Sequence, residues 1–158
     1  MTRAVDAIDR TIVALLIEDG RMSSADIARR VGGITERSVR YRLERLVSLG
    51  VIRVSAVADP KALGYPVLAD VFIEVEPGQI MTVARKMTEF ECVTYVACST
   101  GASDLSIQIV APDNAGLYRF VTEVVANVAG VRKTTTVLLP LVLKDVYQWA
   151  IPKSACTE

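Results

Sequence analysis

Histidine is absent from this chain of 158 residues, and its absence excludes several classes of enzyme. Without an imidazole there can be no Ser–His–Asp triad, no Cys–His nucleophile pair and no zinc site with histidine ligands. General acid–base catalysis would fall to carboxylates or lysine. We therefore predict that the chain is not an enzyme and that it carries no metal and no cofactor.

Cysteine is also scarce, with three residues in the whole chain. Cys92, Cys98 and Cys156 form no C-x-x-C pair, so the sequence offers little support for a cysteine-only metal site. An odd number of cysteines without a secretory leader is typical of a reducing compartment. No apolar run approaches the ~18 uncharged residues that a membrane helix needs. We expect a cytoplasmic protein.

The charges balance at 18 basic and 18 acidic residues, but they are unevenly distributed. Residues 1–53 carry a net charge of +3 and residues 54–158 a net charge of −3. Every basic residue in the first segment is arginine, whose guanidinium matches phosphate and guanine edges bidentately. This distribution predicts two modules with different partners, although a solvated helix face would also explain the basic stretch.

The first third of the chain has the apolar spacing of three helices followed by a strand. Residues 5–16 form the first amphipathic pattern, and Ser23 or its neighbouring serine is a suitable cap for the second helix. Gly32 and the glycine after it end that helix, and Thr35 caps the third. Residues 51–57 are β-branched and predict a strand.

Two helices joined by a short glycine-containing turn are typical of a helix-turn-helix motif. The second helix of such a motif enters the major groove, where arginine binds guanine or phosphate and tyrosine stacks on sugar. The alternative is a three-helix bundle whose charged outer face forms surface salt bridges. We favour DNA binding, with these contact residues: Thr35, Arg37, Ser38, Arg40, Tyr41, Arg42 and Arg45.

The remaining two thirds predict a small sheet domain. Residues 67–75 alternate between apolar and polar, and two further strands and two helices follow before a final strand at residues 134–143. The order β-α-β-β-α-β is the ferredoxin-like split unit. The fold class is therefore α+β. Residues 1–53 form a winged helix-turn-helix domain, residues 54–66 a strand and linker, and residues 67–158 the ferredoxin-like domain.

The final strand and the segment after it are unusually apolar. Leu139, Leu141 and Leu143 lie in the strand, and Tyr147, Trp149 and other apolar residues follow. A four-stranded sheet with helices on one face cannot bury all of these side chains. We predict a homo-oligomer, at least a dimer, in which the open sheet face meets another subunit.

Five short motifs follow one another over almost the whole chain. They are Val5-Asp6-x-Ile8-Asp9-Arg10-x-Ile12, Asp19-Gly20-Arg21, a Val39, Arg42, Leu46 pattern, Gly101-x-x-Asp104, and Gly130-Val131. In this order and spacing they resemble the Lrp/AsnC, or feast/famine, family of transcription regulators. The resemblance implies a winged helix-turn-helix domain and a dimerising domain that binds amino-acid-like effectors between subunits. It also implies tetramers or octamers and control of amino-acid metabolism genes.

The predicted effector site contains a loop that carries glycine and a carboxylate. Asp104 is suited to a ligand ammonium, and backbone amides of the loop are suited to a ligand carboxylate. The small Ala102 favours a larger or aromatic amino acid. The alternative is that Gly101 and Asp104 only make the hairpin turn. The predicted effector-binding residues are Gly101, Ser103, Asp104, Thr134 and Thr136.

A second class of function remains open from sequence. The chain could be a ferredoxin-like small-molecule sensor or enzyme whose helical part is a protein-interaction module. A steep dependence of duplex DNA binding on salt would distinguish the regulator from that alternative. A purely structural oligomer would leave the arginine-rich third helix unexplained.

Overall fold

The structure, a computed structural model, describes residues 5–157. The chain divides into two compact units. The helical unit comprises Met1–Val57 together with Leu143–Glu158, and the sheet unit comprises Ala58–Val142. Among the described residues, no helix is long and apolar enough to cross a membrane.

The helical unit contains three helices, α1 (Ala7–Glu18), α2 (Ser24–Val31) and α3 (Glu36–Ser48). The predicted caps of α2 and α3 are confirmed. The hydroxyl oxygens of Ser23 and Thr35 each accept a hydrogen bond from the backbone amide three residues further on, at 3.1 and 3.2 Å. These bonds satisfy amides that would otherwise lack a partner in the first turn of each helix.

Each helix contributes a fully buried side chain to one small core. Ile12 of α1, Ile27 of α2 and Val39 of α3 pack together. Gly32 and Gly33 in the turn between α2 and α3 have φ angles of 73° and 68°, a region that favours glycine. The short turn therefore depends on both glycines, and it produces the predicted helix-turn-helix arrangement.

The strand predicted for residues 51–57 is not formed. The backbone amide of Val51 donates to the carbonyl oxygen of Leu46 at 2.9 Å, and the chain then continues as irregular structure to residue 59. A strand is stabilised by hydrogen bonds to a neighbouring strand. The described part of the helical unit contains no second strand, so the β-branched residues lack a partner there.

The C-terminal tail, residues 143–157, belongs to the helical unit. Ile151 packs in an apolar cluster with Val5, and its carbonyl oxygen accepts from Arg10 Nε at 3.0 Å. The amide of Thr157 donates to the carbonyl oxygen of Val5 at 2.8 Å. The prediction that the second domain extends to residue 158 is therefore corrected, because these contacts attach the tail to α1.

The sheet unit has the predicted β-α-β-β-α-β order. Its elements are β1 (Val67–Val75), α4 (Ile80–Met87), β2 (Val93–Cys98), β3 (Leu105–Ala111), α5 (Asn114–Arg119) and β4 (Val131–Leu138). The strand order is β2-β3-β1-β4, and all three pairings are antiparallel. The ferredoxin-like prediction is confirmed.

Alternation along β1 separates the two faces of this sheet. Val71 and Ile73 are completely buried in a cluster that includes Val83 and Met87 of α4. The side chains between them, such as Phe72, point to the opposite, open face, and Phe72 is 37% exposed. The core of the unit therefore lies between the sheet and its helices.

Helix α5 changes its hydrogen-bonding pattern after two turns, and strand β4 ends earlier than the sequence predicts. Regular α-helix stops at Arg119, and the chain continues as a π-helical turn, Phe120–Val124, and a 3-10 turn, Val125–Asn127. Strand β4 ends at Leu138, although its apolar character continues to residue 143. Pro140 has no amide hydrogen and so cannot continue the ladder of backbone hydrogen bonds.

Candidate nucleic-acid interface and effector site

The outer face of α3 carries the candidate nucleic-acid interface. Arg37, Arg40 and Tyr41 are exposed at i, i+3 and i+4, and Tyr41 is 67% exposed. They line a shallow depression together with Glu36 and Glu44, and Arg40 forms an ion pair with Glu36. The structure thus groups two arginines and a tyrosine where a polyanion could approach.

Thr35 and Ser38 lie at the start of the same helix. Thr35 Oγ1 accepts from the Ser38 amide, and the Ser38 side chain is half-buried. The first turn of a helix presents unpaired amides and the positive end of the helix dipole, both of which favour an anion. Thr35 and Ser38 therefore stabilise the first turn of α3, the end of the helix that carries Arg37 and Arg40.

Arg42 and Arg45, which sequence analysis assigned to the DNA-contact set, point toward α1 instead. Arg42 Nη1 donates to Asp6 Oδ2 at 2.7 Å and to Asp9 Oδ1 at 2.8 Å, and Arg45 pairs with Asp9. Their side chains are 22% and 31% exposed, against 63% for Arg40. Carboxylates at the start of α1 hold both side chains, so the structure does not group Arg42 and Arg45 with the exposed Arg37, Arg40 and Tyr41.

The ionisation of this cluster follows from its contacts. Hydrogen bonds to Asp6 and Asp9 raise the pKa of Arg42. Burial by itself raises the pKa of Asp6, but hydrogen bonds from the Asp9 amide and from Arg42 outweigh burial and lower that pKa. Arg42 and Asp6 are therefore both charged at neutral pH.

Sequence reasoning missed Asp6 and Asp9 as the partners of the inner arginines. The signal for the inner pair was present. Asp6-x-x-Asp9 forms a capping box, and Asp9 precedes Ile12 by three residues, which places it on the buried face of α1. An aspartate on the apolar face of a helix indicates a basic partner from elsewhere in the fold.

The candidate effector loop joins β2 to β3. Ser99 Oγ donates to the carbonyl oxygen of Ser103 at 2.8 Å, and the Ser99 amide donates to the carbonyl oxygen of Asp104 at 2.8 Å. Gly101 has a φ of 129°, which side-chain-bearing residues rarely adopt. The structure therefore brings Gly101, Ser103 and Asp104 together in one compact turn.

Asp104 has a structural role in this turn. Its Oδ2 accepts from the backbone amide of Val75 at 2.7 Å, next to the register shift between Glu74 and Val75 in the pairing of β1 with β4. Its own amide donates to the carbonyl oxygen of Ile73 at 2.9 Å. Asp104 thus uses Oδ2 to stabilise the hairpin, as the structural alternative predicts. Its Oδ1 takes no part in that hydrogen bond.

The two threonines of the predicted effector set lie on β4, which β1 separates from the strands that this loop joins. Thr134 is opposite Ile73, and Thr136 is opposite Val71, both on β4. Since β1 separates β4 from β3, two strand spacings, about 10 Å, lie between the threonine backbones and that of Asp104. On the sheet face that the threonines share, β1 presents the buried Val71 and Ile73, so the structure does not bring Thr134 and Thr136 together with the loop.

Comparison with known proteins also divides the chain into a helix-turn-helix part and a ligand-binding part. The sequence pattern of the AsnC-type helix-turn-helix domain matches residues 5–47, and that of the Lrp/AsnC ligand binding domain matches residues 68–147. The uncharacterized HTH-type transcriptional regulator PH0140 of Pyrococcus horikoshii is 38% identical over 144 residues, 90% of each chain.

Two solved structures share the fold at 19% sequence identity. Escherichia coli AsnC has a TM-score of 0.82, and the comparison covers 92% of this chain and 99% of that one. Transcriptional regulator NMB0573 of Neisseria meningitidis, solved as an L-Met complex, has a TM-score of 0.84 and covers 94% and 97%. The chain belongs to the Lrp/AsnC family of transcriptional regulators, with a helix-turn-helix DNA-binding domain followed by a ligand-binding domain.

Proposed function

We propose that the outer face of α3 is the operator-binding surface of this regulator. The observation that carries the proposal is the exposed group of Arg37, Arg40 and Tyr41 on the second helix of the helix-turn-helix. The arginines bind guanine edges or phosphates, and Tyr41 stacks on sugar or donates to phosphate. Thr35 and Ser38 lie beside the phosphates at the start of the helix.

The ion pair between Arg40 and Glu36 does not prevent this role. Their side chains are 63% and 50% exposed. Exposed pairs of this kind contribute only about 0–1 kcal/mol. A bidentate base contact contributes about 1–3 kcal/mol of discrimination, so DNA competes successfully for Arg40. Released Glu36 can in turn accept a hydrogen bond from a cytosine amino group.

The test begins with selection of tightly bound sequences from a pool of random DNA duplexes. Arg37→Ala and Arg40→Ala should each weaken binding to the selected operator. A base contact should cost about 1–3 kcal/mol on particular sequences, and a phosphate contact should lower the salt slope by about one on all sequences. Arg132→Ala, at an exposed ion pair with Glu74 in the sheet unit, is the matched control. Unchanged binding of both α3 variants would refute the proposed face.

We propose further that the loop from Gly101 to Asp104 binds an amino acid. The matched ligand-binding domain supports a small-molecule ligand, and the L-Met complex of the Neisseria meningitidis regulator makes amino acids the first class to test. Loop amides hold the ligand carboxylate, and Asp104 Oδ1 accepts from its ammonium. Thr134 and Thr136 share a sheet face with the buried Ile73 and Val71, so the proposed site is confined to the loop.

This ligand site is tested with Asp104→Asn. The asparagine oxygen still accepts from the Val75 amide, so the turn is retained while the charge is lost. A thermal-shift screen of the twenty amino acids should give a stabilising ligand for the wild type and a weaker shift, or none, for the variant. Asp70→Asn, on the open sheet face, is the control. Equal stabilisation of wild type and Asp104→Asn would remove Asp104 from the ligand site.

The regulator assembles, in our proposal, as a dimer or a larger homo-oligomer that controls amino-acid metabolism genes in the cytoplasm. Leu141 of the sheet unit is 72% exposed, and Leu143 and Trp149 of the helical unit are 87% and 64% exposed, high values for large apolar side chains. Sedimentation should show a dimer or larger species at micromolar concentration, and Leu141→Asp should dissociate or aggregate it. A monomeric wild type would contradict this assembly.

A further inference from the structure

A buried carboxylate lies beneath the recognition helix α3. Asp9 of α1 has no exposed surface, and it is the one polar or charged residue that the structure buries among residues 5–157. An ionised carboxylate away from water is unfavourable unless charged partners and hydrogen bonds replace its hydration. The donors that contact Asp9 therefore explain how its charge is stabilised in a buried position.

Both oxygens of Asp9 are engaged by donors from two helices. Oδ1 accepts from Arg42 Nη1 at 2.8 Å, and Oδ2 accepts from Arg45 and from the Asp6 amide, the latter at 3.2 Å. Asp6 is itself held, because its Oδ1 accepts from the Asp9 amide at 2.8 Å and its Oδ2 accepts from Arg42. Two carboxylates of α1 thus balance two guanidinium groups of α3.

The direction of these ion pairs fixes the rotation of α3 about its axis. At 3.6 residues per turn, Arg42 lies about 140–160° around the helix from Arg37 and Arg40, and Arg45 lies about 80° from Arg37 and about 140° from Arg40. A rotation by one residue, about 100°, would turn both inner arginines away from Asp9. Apolar side chains tolerate small rotations, whereas hydrogen-bonded ion pairs are directional, so the cluster specifies one orientation.

We propose that Asp9 is a positioning residue for operator recognition. Through Arg42 and Arg45 it aims the exposed face of α3 at the base edges, and it does not touch DNA. The inference rests on the operator-binding face proposed above. Base-edge hydrogen bonds depend strongly on geometry, whereas phosphate contacts are long-ranged and tolerant. Loss of the Asp9 charge should therefore reduce specific binding much more than non-specific binding.

The experiment compares Asp9→Asn with Glu18→Gln as a matched control. Both substitutions remove one negative charge from α1, and Glu18 forms an exposed, two-bond pair with Arg30 of α2, at 2.9 and 3.0 Å. Each variant is titrated with the selected operator and with a scrambled duplex of equal length. The titrations are run over a range of salt concentrations, at a temperature where circular dichroism shows the variants to be folded.

The expected result is a loss of specificity confined to Asp9→Asn. Its operator affinity should fall by about tenfold or more, the value of one bidentate base contact. Its affinity for the scrambled duplex and its salt slope should match those of Glu18→Gln. Arg42→Lys, which keeps the charge but loses the guanidinium fork, should lower the specificity ratio in the same direction. If Asp9→Asn proves to be unfolded, the specificity ratio of Arg42→Lys tests the proposal instead.

Two results would overturn the inference while leaving the DNA-binding face intact. One is a folded Asp9→Asn or Arg42→Lys variant with the wild-type specificity ratio, which would make the cluster a matter of stability alone. The other is a salt slope lower by about one in Arg42→Met, which would show that Arg42 itself binds phosphate. Failure of the wild type to select any duplex would overturn the operator-binding face, and this inference with it.

Discussion

The arginines of α3 show how single residues divide between recognition and structure. Arg40 and Arg42 are two positions apart and therefore point to opposite sides of the helix. Arg40 is exposed, whereas Arg42 bonds to carboxylates 36 and 33 residues away in sequence. Composition predicts a cationic helix, but only the tertiary partners decide which cations are available to DNA.

Gly130 offers a sharper test at the residue scale. Its φ is 92°, and a Cβ added there would lie 3.0 Å from Gln79 Cβ and 3.2 Å from Val83 Cγ2. Gly64 has a similar φ of 88°, but among the described residues no atom beyond Gly64 and its two chain neighbours lies within 4 Å of an added Cβ. Gly64→Ala should cost about 1–2 kcal/mol of unfolding free energy from backbone strain alone.

Gly130→Ala combines the same strain with a steric clash, so its loss of unfolding free energy should be larger, by about 1–3 kcal/mol. Urea denaturation of the two variants, compared with the wild type, measures both values. Equal losses for Gly64→Ala and Gly130→Ala would mean that the neighbours of Gly130 move aside freely.

Most helices and strands follow from local sequence, and the exceptions have physical causes. The caps at Ser23 and Thr35 and the alternation of β1 are visible in the sequence because their signals are local. The irregular segment at residues 51–57 has strand composition, but no strand lies beside it within residues 5–157. The tail and the Asp9 cluster depend on long-range contacts. The geometry around Asp104 combines a local turn with a bond to Val75 that periodicity does not reveal.

Helix α2 supplies a prediction at the element scale. It has eight residues, which is short enough that its cap contributes a large part of its stability. Ser23→Ala removes the bond to the Asp26 amide and should lower the unfolding free energy of the helical unit by about 1 kcal/mol. Ser23→Thr, which retains a hydroxyl, should lose less. Thermal denaturation followed by circular dichroism measures both, and an unchanged Ser23→Ala would show that the cap is dispensable.

The carboxylates of the whole molecule predict its response to acid. Hydrogen bonds from Arg30 and from Lys133 lower the pKa values of Glu18 and Glu74, and Asp6 is shifted in the same direction. A carboxylate whose pKa is lower in the folded state stabilises the fold above its unfolded pKa, about 4. That stabilisation is lost as the pH falls through the folded-state pKa.

The melting temperature should therefore be steady near neutral pH and decline below about pH 4. Asp6→Asn should show a smaller decline, because asparagine does not titrate. Differential scanning calorimetry between pH 7 and pH 3 provides the measurement. A melting temperature that rises on acidification would contradict the direction of these pKa shifts.

The bond between Val5 and Thr157 makes the helical unit discontinuous along the chain. The chain leaves this unit after Val57 and re-enters it at Leu143, so the sheet unit is an insertion between two segments of one domain. Because Thr157 donates to Val5 at 2.8 Å, a short linker would join these two positions into a ring. That ring could be opened at the exposed turn around Gly78 to give a circular permutant. Conversely, a fragment that ends at Val57 would expose the apolar cluster that Ile151 covers.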